Sequence, residues 1–428
     1  MTSHIRIEGT VAPGFESVKQ LYEHNMRSLV ERNTQLCVYH NDEKVVDLWA
    51  SAVQDPNFSA DSLVNVFSSG KSLAAIAMAS LVGKGLLDYS AKITDYWPEF
   101  AGQGKQDLTV AELMRHEAGL AAFNSALDPV DLLSENIRQN KIGWIIEEHP
   151  QSFRKGEGQA REYHAITRGW IINEVFRRVD PAGRTVGEFL RQDISGPLQV
   201  DAVIGASKDE LTKVSKVKPL GFWYQLLESL KPKVLKRRIE KNIFQILAMI
   251  IRLIPALRSS TTRSSVEPLK GMKARGLSFF NDPTFSMGET PSANAKCSAR
   301  GLAKIAAMMS SGGHYAGTEY LSEAGWKALH DEPVKADMAI MTTTFTQGGI
   351  NQFSHCGDGS AAAEKAFNNG REGFYGWMGL GGSIFQWHPQ HRIGFGYVPT
   401  SLHVLDLLNE RGKAYQAEVL RCVERKAA

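Results

Sequence analysis

"VNVFSSGKSLAAIAMASLVGKG", residues 64–85, opens like a strand and continues as a helix, with a serine and a lysine at the junction. If the helix starts near Ser68, residue 71 lies about one turn further on and faces the same side. Lys71 then holds its amine close to the Ser68 hydroxyl. A hydroxyl is a poor nucleophile at neutral pH and needs a neighbouring base. A free lysine, with a pKa of about 10.4, is protonated and useless as one. Burial beside apolar walls and the positive end of a helix both disfavour the ammonium. Leu73, Ile76, Ala77 and Leu81 supply such walls. The same residues also suit an N-cap serine followed by a solvated lysine, so the rest of the chain has to decide. A second Ser-x-x-Lys, Ser215–Lys218, sits in a polar, lysine-rich stretch with no apolar helix behind it and reads as a chance match.

With 428 residues, the chain has room for one large two-lobed enzyme or for two or three domains. Its composition is that of an ordinary globular protein with ample material for a core. A net charge of +3, without a zinc-finger or RNA-recognition pattern, makes no case for nucleic acid. Cys37, Cys297, Cys356 and Cys422 are far apart and form no CxxC pair, so neither a disulfide framework nor a structural zinc site is expected. The first twenty residues have no apolar core of a secretion signal, which points to a reducing, cytoplasmic setting. No uninterrupted apolar stretch reaches transmembrane length.

Residues 35–51 read as a hairpin, with an apolar strand near Leu36–Tyr39, a polar turn at Asn41–Lys44, and a second strand over Val45–Trp49. Residues 381–399 repeat the form around a polar His388–His391 turn, and 402–426 follow as a long amphipathic helix. Between the ends, the apolar period is helical over 72–84, 109–117, 129–148, 166–179, 185–193, 299–311 and 322–331. The expected fold is therefore α/β (α+β): one antiparallel sheet built from both chain ends, flanked by helices, with an all-helical lobe inserted. Residues 1–75 and 275–428 would form the α/β lobe and 76–274 the helical lobe, with a basic apolar insertion at 206–266.

That insertion stands apart. Thr212–Arg263 holds twelve Lys/Arg against two Glu, a net charge of +10, in a chain that carries +3 overall. Inside it, "NIFQILAMIIRLIPAL" (242–257) is apolar, and if helical it gathers Lys241, Gln245 and Arg252 on one narrow face. It is too short and interrupted to span a bilayer. Three expectations follow for 212–263: a surface helix packed on its own protein or a second subunit, a segment lying peripherally in a membrane interface, or disorder.

"NVFSSGKSLAAIAMASLVGKGLLDYSAKITDYWPEF" followed by "LTVAELMRHEAGL" resembles the first block of the serine β-lactamase and penicillin-binding-protein-like hydrolases. The likeness is nearest to class C β-lactamases, family VIII esterases and eukaryotic β-lactamase-like proteins. Residues 161–179 resemble their second block and 375–398 their third. With 291–322, the likeness covers nearly the whole chain except about 206–266. It implies that Ser68 is the acylated nucleophile, Lys71 its partner, and Tyr163 the tyrosine of the second motif. A Tyr163 phenolate, stabilised by the lysine charge, would shuttle the proton. That motif reads Tyr163-His164-Ala165 here, without the family's amide or hydroxyl at its third position. A literal Tyr-x-Asn at Tyr39–Asn41 falls in a hairpin turn and reads as surface.

The third motif, Lys-Thr-Gly or His-Thr-Gly in the family, is Trp377-Met378-Gly379 here. By the resemblance, the Leu380 backbone N–H pairs with that of Ser68 as an oxyanion hole, which needs no particular side chain. A tryptophan supplies an apolar wall and one N–H donor but no cation for a substrate carboxylate. Esterases of this superfamily carry a tryptophan here. The resemblance thus implies a serine hydrolase working through an acyl-enzyme, with small or lipid-like esters as substrates. β-Lactamase or D-amino-acid peptidase activity on an amide is the alternative, and a non-catalytic scaffold of the same fold the other. No cofactor is expected, since neither GxGxxG nor a P-loop is present. No metal is expected either, since "RHEAG" (115–119) lacks the second histidine of a zinc site. The Cys356 thiol beside His355 in "HCGDG" is set aside as a glycine-rich loop, and Tyr89 and Tyr96 as packing residues.

Overall fold

β-Branched and aromatic runs at the two chain ends form strands that complete one another in a single sheet. The computed structural model describes residues 5–153, 161–253, 264, 266–339 and 341–427. The N-terminal strands are β1 (Arg6–Val11), β2 (Asn33–His40) and β3 (Glu43–Ser51). The C-terminal ones are β4 (Val334–Met338), β5 (Met341–Phe345), β6 (Asn351–Gln352), β7 (Tyr375–Met378), β8 (Ile384–His388) and β9 (Ile393–Pro399). They line up in the order β1-β3-β2-β9-β8-β7-β6-β5-β4, antiparallel throughout. The seam between the chain ends is β2 against β9, from His40 opposite Ile393 to Thr34 opposite Pro399. The β2–β3 hairpin closes on Asn41 and Asp42, both left-handed, which matches the twist of the strands.

Eight helices carry the rest of the argument: α1 (Glu16–Ser28), α2 (Lys71–Gly83), α3 (Thr167–Val179), α4 (Phe222–Leu230), α5 (Ile243–Leu253), α6 (Ala299–Ser310), α7 (Glu323–His330) and α8 (Glu410–Ala427). The period-2 alternation of β9 decides what covers each face. Ile393, Phe395 and Tyr397 pack with the apolar faces of α1 and α8. Gly394 and Gly396 face the other way, where a Cβ would stand 2.3 Å from Ala307 N and 2.5 Å from Ala299 O. Helix α6 therefore lies directly on the sheet backbone. Helix α2 is apolar on all sides and buried from Lys71 to Leu81, between α3 and α7.

Two helical expectations change. The 129–148 stretch breaks into Pro129–Leu132, Ser134–Ile137 and Lys141–Glu148. The Asn140 side chain accepts from Arg177 and Arg178 at 2.6 and 2.7 Å, and its backbone turns left-handed there. The C-terminal helix begins at Glu410 rather than near 402, because the Asp406 carboxylate accepts from the Glu410 N–H and Asn409 is left-handed. Tyr39 is buried in β2 against Tyr315, not on the surface, and only Asn41 is exposed. Ser215 and Lys218 lie in extended segments rather than on one helix turn. No described helix is long and apolar enough to cross a membrane.

Candidate active site

Ser68 sits where a short strand, Leu63–Asn65, gives way to a tight turn of helix, Phe67–Gly70, which runs into α2. Phe67, just before it, is left-handed at φ 48°, a conformation that costs a bulky side chain about 1–3 kcal/mol. The Phe67 ring is anchored against Phe280, 4.7 Å between centroids. This sharp entry leaves Ser68 partly exposed while its neighbour Ser69 is turned inward onto Ser383 Oγ at 3.1 Å. Of the two serines, only Ser68 lines the cleft.

Lys71 is 2% exposed, and its Nζ has three neighbours. Ser68 Oγ lies at 3.0 Å, the Ala165 carbonyl at 2.7 Å and the Ser292 carbonyl at 2.9 Å. A neutral amine has two N–H donors and one lone pair. The two carbonyls take the donors, and the lone pair is left for the Ser68 proton. Burial holds the Lys71 pKa well below its ordinary value, and the nearby Arg168 guanidinium pushes it down further. The Ala165 carbonyl stands where the second motif lacks its usual polar side chain, so the backbone supplies the missing acceptor.

Tyr163 closes the group. Its ring lies under Lys71 Nζ, 4.8 Å from the centroid, and its hydroxyl accepts from Trp377 Nε1 at 3.0 Å and hydrogen-bonds Ser68. Burial raises the Tyr163 pKa, an effect only partly offset by those two hydrogen bonds. Burial thus works against the expected phenolate, while the Arg168 guanidinium works in its favour.

Trp377 is nearly buried at the end of β7, packed on Phe345 at 5.1 Å and Phe367 at 6.1 Å as well as Tyr163. Beyond it, Gly379 N donates to Ser383 O at 2.8 Å, and the Asn409 amide donates to the carbonyls of both residues. This ties the strand end beside Ser68. Among the described residues, the N–H groups of Ser68 and Leu380 meet no acceptor, and both residues line the same cavity of about 200 Å3. Ala339, Met341, Trp377, Met378, Leu380 and Leu407 make most of its wall. No described lining residue is basic, and the one acid, Asp406, accepts from the first amides of α8.

The structure thus brings Ser68, Lys71, Tyr163, Trp377, Gly379 and Leu380 together. Residue patterns alone missed the layer behind them. His116, left-handed and fully buried, packs 4.9 Å from the Tyr163 ring, and its Nδ1 accepts from His164 N at 3.0 Å. Arg168 on α3 donates to Met114 O at 2.9 Å beside it. Glu117 and Arg161 pair at 2.8 Å, with the guanidinium over Phe345. "RHEAG" was the available signal: its histidine packs on the Tyr163 ring and its acid pairs with Arg161. Among the described residues no cluster suits a metal ion. Cys356 lies outside the cavity, and burial raises its thiol pKa.

The β-lactamase family model matches residues 18–218. The chain is 26% identical over 411 residues to the esterase/β-lactamase LipL of Mycobacterium tuberculosis, across 93% of this chain and 83% of that protein. A family VIII carboxylesterase structure aligns with a TM-score of 0.75 at 25% identity, over 97% of this chain and all of the other, 100%. A penicillin-binding-protein homologue from Caulobacter crescentus shares the fold, with a TM-score of 0.72 at 24% identity over 97% of this chain and 100% of that one. In sequence and in architecture, from one end to the other, the chain is similar to the serine β-lactamase and penicillin-binding-protein-like hydrolases.

Proposed function

We propose that the protein is a carboxylic ester hydrolase that acts through an acyl-enzyme on Ser68, with small or lipid-like neutral esters as substrates. Ser68 Oγ attacks the ester carbonyl as its proton passes to Lys71 Nζ. The new ammonium then finds three acceptors already in place: Ser68 Oγ and the carbonyls of Ala165 and Ser292. The carbonyl oxygen, now negative, rests on the N–H groups of Ser68 and Leu380. On collapse the C–O bond to the alcohol breaks. Tyr163 gives its proton to the departing alkoxide and is reprotonated from Lys71. Water then attacks the acyl carbon as Lys71 takes its proton, and on collapse the acid leaves while Tyr163, reprotonated from Lys71, returns a proton to Ser68 Oγ.

The observation that carries the ester reading is the apolar cleft wall around Trp377, in which no described residue is basic. A charged hydrogen bond to a substrate carboxylate is worth about 1.5–3 kcal/mol, and the described lining residues offer none. The names of LipL and of the family VIII carboxylesterase support the same reading. Fluorophosphonate treatment followed by mass spectrometry tests it. Wild type gains one adduct on the peptide containing Ser68, Ser68→Ala gains none, and only the wild type turns over p-nitrophenyl butyrate. A faster turnover of nitrocefin than of the ester would assign the site to β-lactams, and an unlabelled wild type would make the fold a scaffold.

A further inference from the structure

The insertion presents its apolar side chains to the outside. Eleven of the fifteen exposed large apolar residues among those described fall within 222–251. In α4 the usual order is inverted: Gln225, Glu228 and Ser229 are buried, while Trp223, Leu227 and Leu230 form an outward stripe, Trp223 being 73% exposed. Helix α5 packs beside it, seating Ile246 and Met249 inward and leaving Phe244, Leu247 and Ile251 outside. A water-facing helix hides such residues, and a patch of this extent marks a contact with an apolar medium.

The charges around the patch define that medium. Lys231, Lys233, Lys236, Arg237, Arg238 and Lys241 lie between the two helices. Among the described residues, the amines of Lys233 and Lys236 make no ion pair and stand in solvent. They border a cavity of about 920 Å3 against α1, which Arg27, Arg237 and Arg238 also line. Glu23 and Glu240 share that wall, Glu23 being paired with Arg27 at 3.6 Å. An apolar stripe carrying a tryptophan beside surplus cations complements a bilayer rich in anionic phospholipid, with the rings at headgroup depth and the amines on phosphate.

We infer that α4, α5 and the basic turn between them form a docking surface for the anionic face of a lipid bilayer. Its root connects to the cleft: Leu220 N donates to Leu402 O at 2.9 Å, and Leu405 N to Gln225 Oε1 at 3.4 Å. The chain between those contacts and α8 provides Asp406 and Leu407 to the cavity around Ser68. Docking would bring that cavity close to the lipid layer. The surface itself does not depend on the ester reading, and its test reads binding alone.

The full-length protein is floated with vesicles of phosphatidylcholine, with and without phosphatidylserine. Wild type should rise with the anionic vesicles only. The double variant W223E/L227E should stay at the bottom. K233Q/K236Q should lose about thirtyfold in vesicle affinity, each lysine near an anionic surface being worth about a factor of five. All four side chains point outward, and unchanged circular dichroism and melting temperature verify the variants. Wild type that fails to float, or W223E/L227E that floats as wild type does, overturns the inference. A dimer that dissociates in W223E/L227E, with no vesicle binding by wild type, reassigns the stripe to a second copy of the chain.

Discussion

Lys71 Nζ lies 3.0 Å from Ser68 Oγ, with its two other polar neighbours being backbone carbonyls rather than carboxylates. Among the described residues no negative charge at this spot favours the ammonium, and burial opposes it. The base works only when deprotonated, so activity is full above the Lys71 pKa and lost as the pH falls through it. Because burial lowers that pKa, the acid limb of kcat/KM for p-nitrophenyl butyrate is expected well below the ~10.4 of a free lysine. Lys71→Arg places a permanent charge there and supplies no base, and Lys71→Met removes the amine altogether. Each should cost about a hundred- to ten-thousandfold in kcat. A wild-type limb near the free-lysine value would contradict the neutral amine.

The proposed preference for neutral esters at Trp377 can be measured with two substrates differing only in charge. The cavity wall is apolar and its polar edge is Tyr163, already engaged by the indole N–H. A p-nitrophenyl ester of a neutral acid should therefore exceed the monosuccinate ester by about ten- to a hundredfold in kcat/KM. Trp377→Phe should leave that ratio standing. It should lower kcat by about five- to tenfold, since one hydrogen bond to Tyr163 of about 1 kcal/mol is lost.

Ser68 and Lys71 were legible because a helix turn converts spacing into contact, and an apolar run following them implies burial. Tyr163 and Leu380 needed the family resemblance, since a phenol and a backbone amide leave no pattern of their own. The carbonyls of Ala165 and Ser292 were invisible for the same reason: every residue has one. Arg168 reads as a solvated side chain within an amphipathic helix, yet it is buried behind Lys71. The inverted helix α4 defeats periodicity altogether, because an apolar stripe marks the core only where water is the alternative. The sheet, by contrast, followed from strand-forming runs at both ends, whose register the β2–β9 seam fixes.

The histidines behind Tyr163 predict sensitivity to acid. Burial brings the His164 pKa down to about 3, and that of His116 lies well below its ordinary value, with Arg168 adding to the effect. The unfolded chain takes up these protons near pH 6.5, whereas the folded chain refuses them until lower pH. Between those values the unfolded state binds more protons, so stability rises with pH and falls as the solution is acidified. Thermal melts should show Tm declining steadily below about pH 6.5. His164→Gln should flatten this decline while lowering Tm at neutral pH, because Leu120 N donates to His164 Nε2 at 3.0 Å. A Tm that holds steady from neutral pH down through the acid range would show that these rings are not buried in the neutral form.

Gly379 lets the end of β7 lie against the backbone that carries Ser68 by lacking a side chain. A Cβ there would stand 2.1 Å from Ser383 Oγ and 2.2 Å from the Val66 carbonyl. The hydroxyl can rotate away, but the carbonyl belongs to the backbone that carries Ser68 and cannot. Gly379→Ala must therefore push the end of β7 away from Ser68, and with it the Leu380 N–H. Loss of one such donor costs about a hundred- to a thousandfold in kcat, and overpacking costs about 1–3 kcal/mol of stability. Gly359→Ala is the matched control, since a Cβ there meets nothing within 4 Å and both properties should stay at wild-type values. Substrate affinity separates the two consequences. The fall in Gly379→Ala should lie in kcat with KM little changed, because the displaced amide meets the oxygen only once its charge has developed. A Gly379→Ala enzyme of wild-type kcat would show that Leu380 takes no part in the reaction.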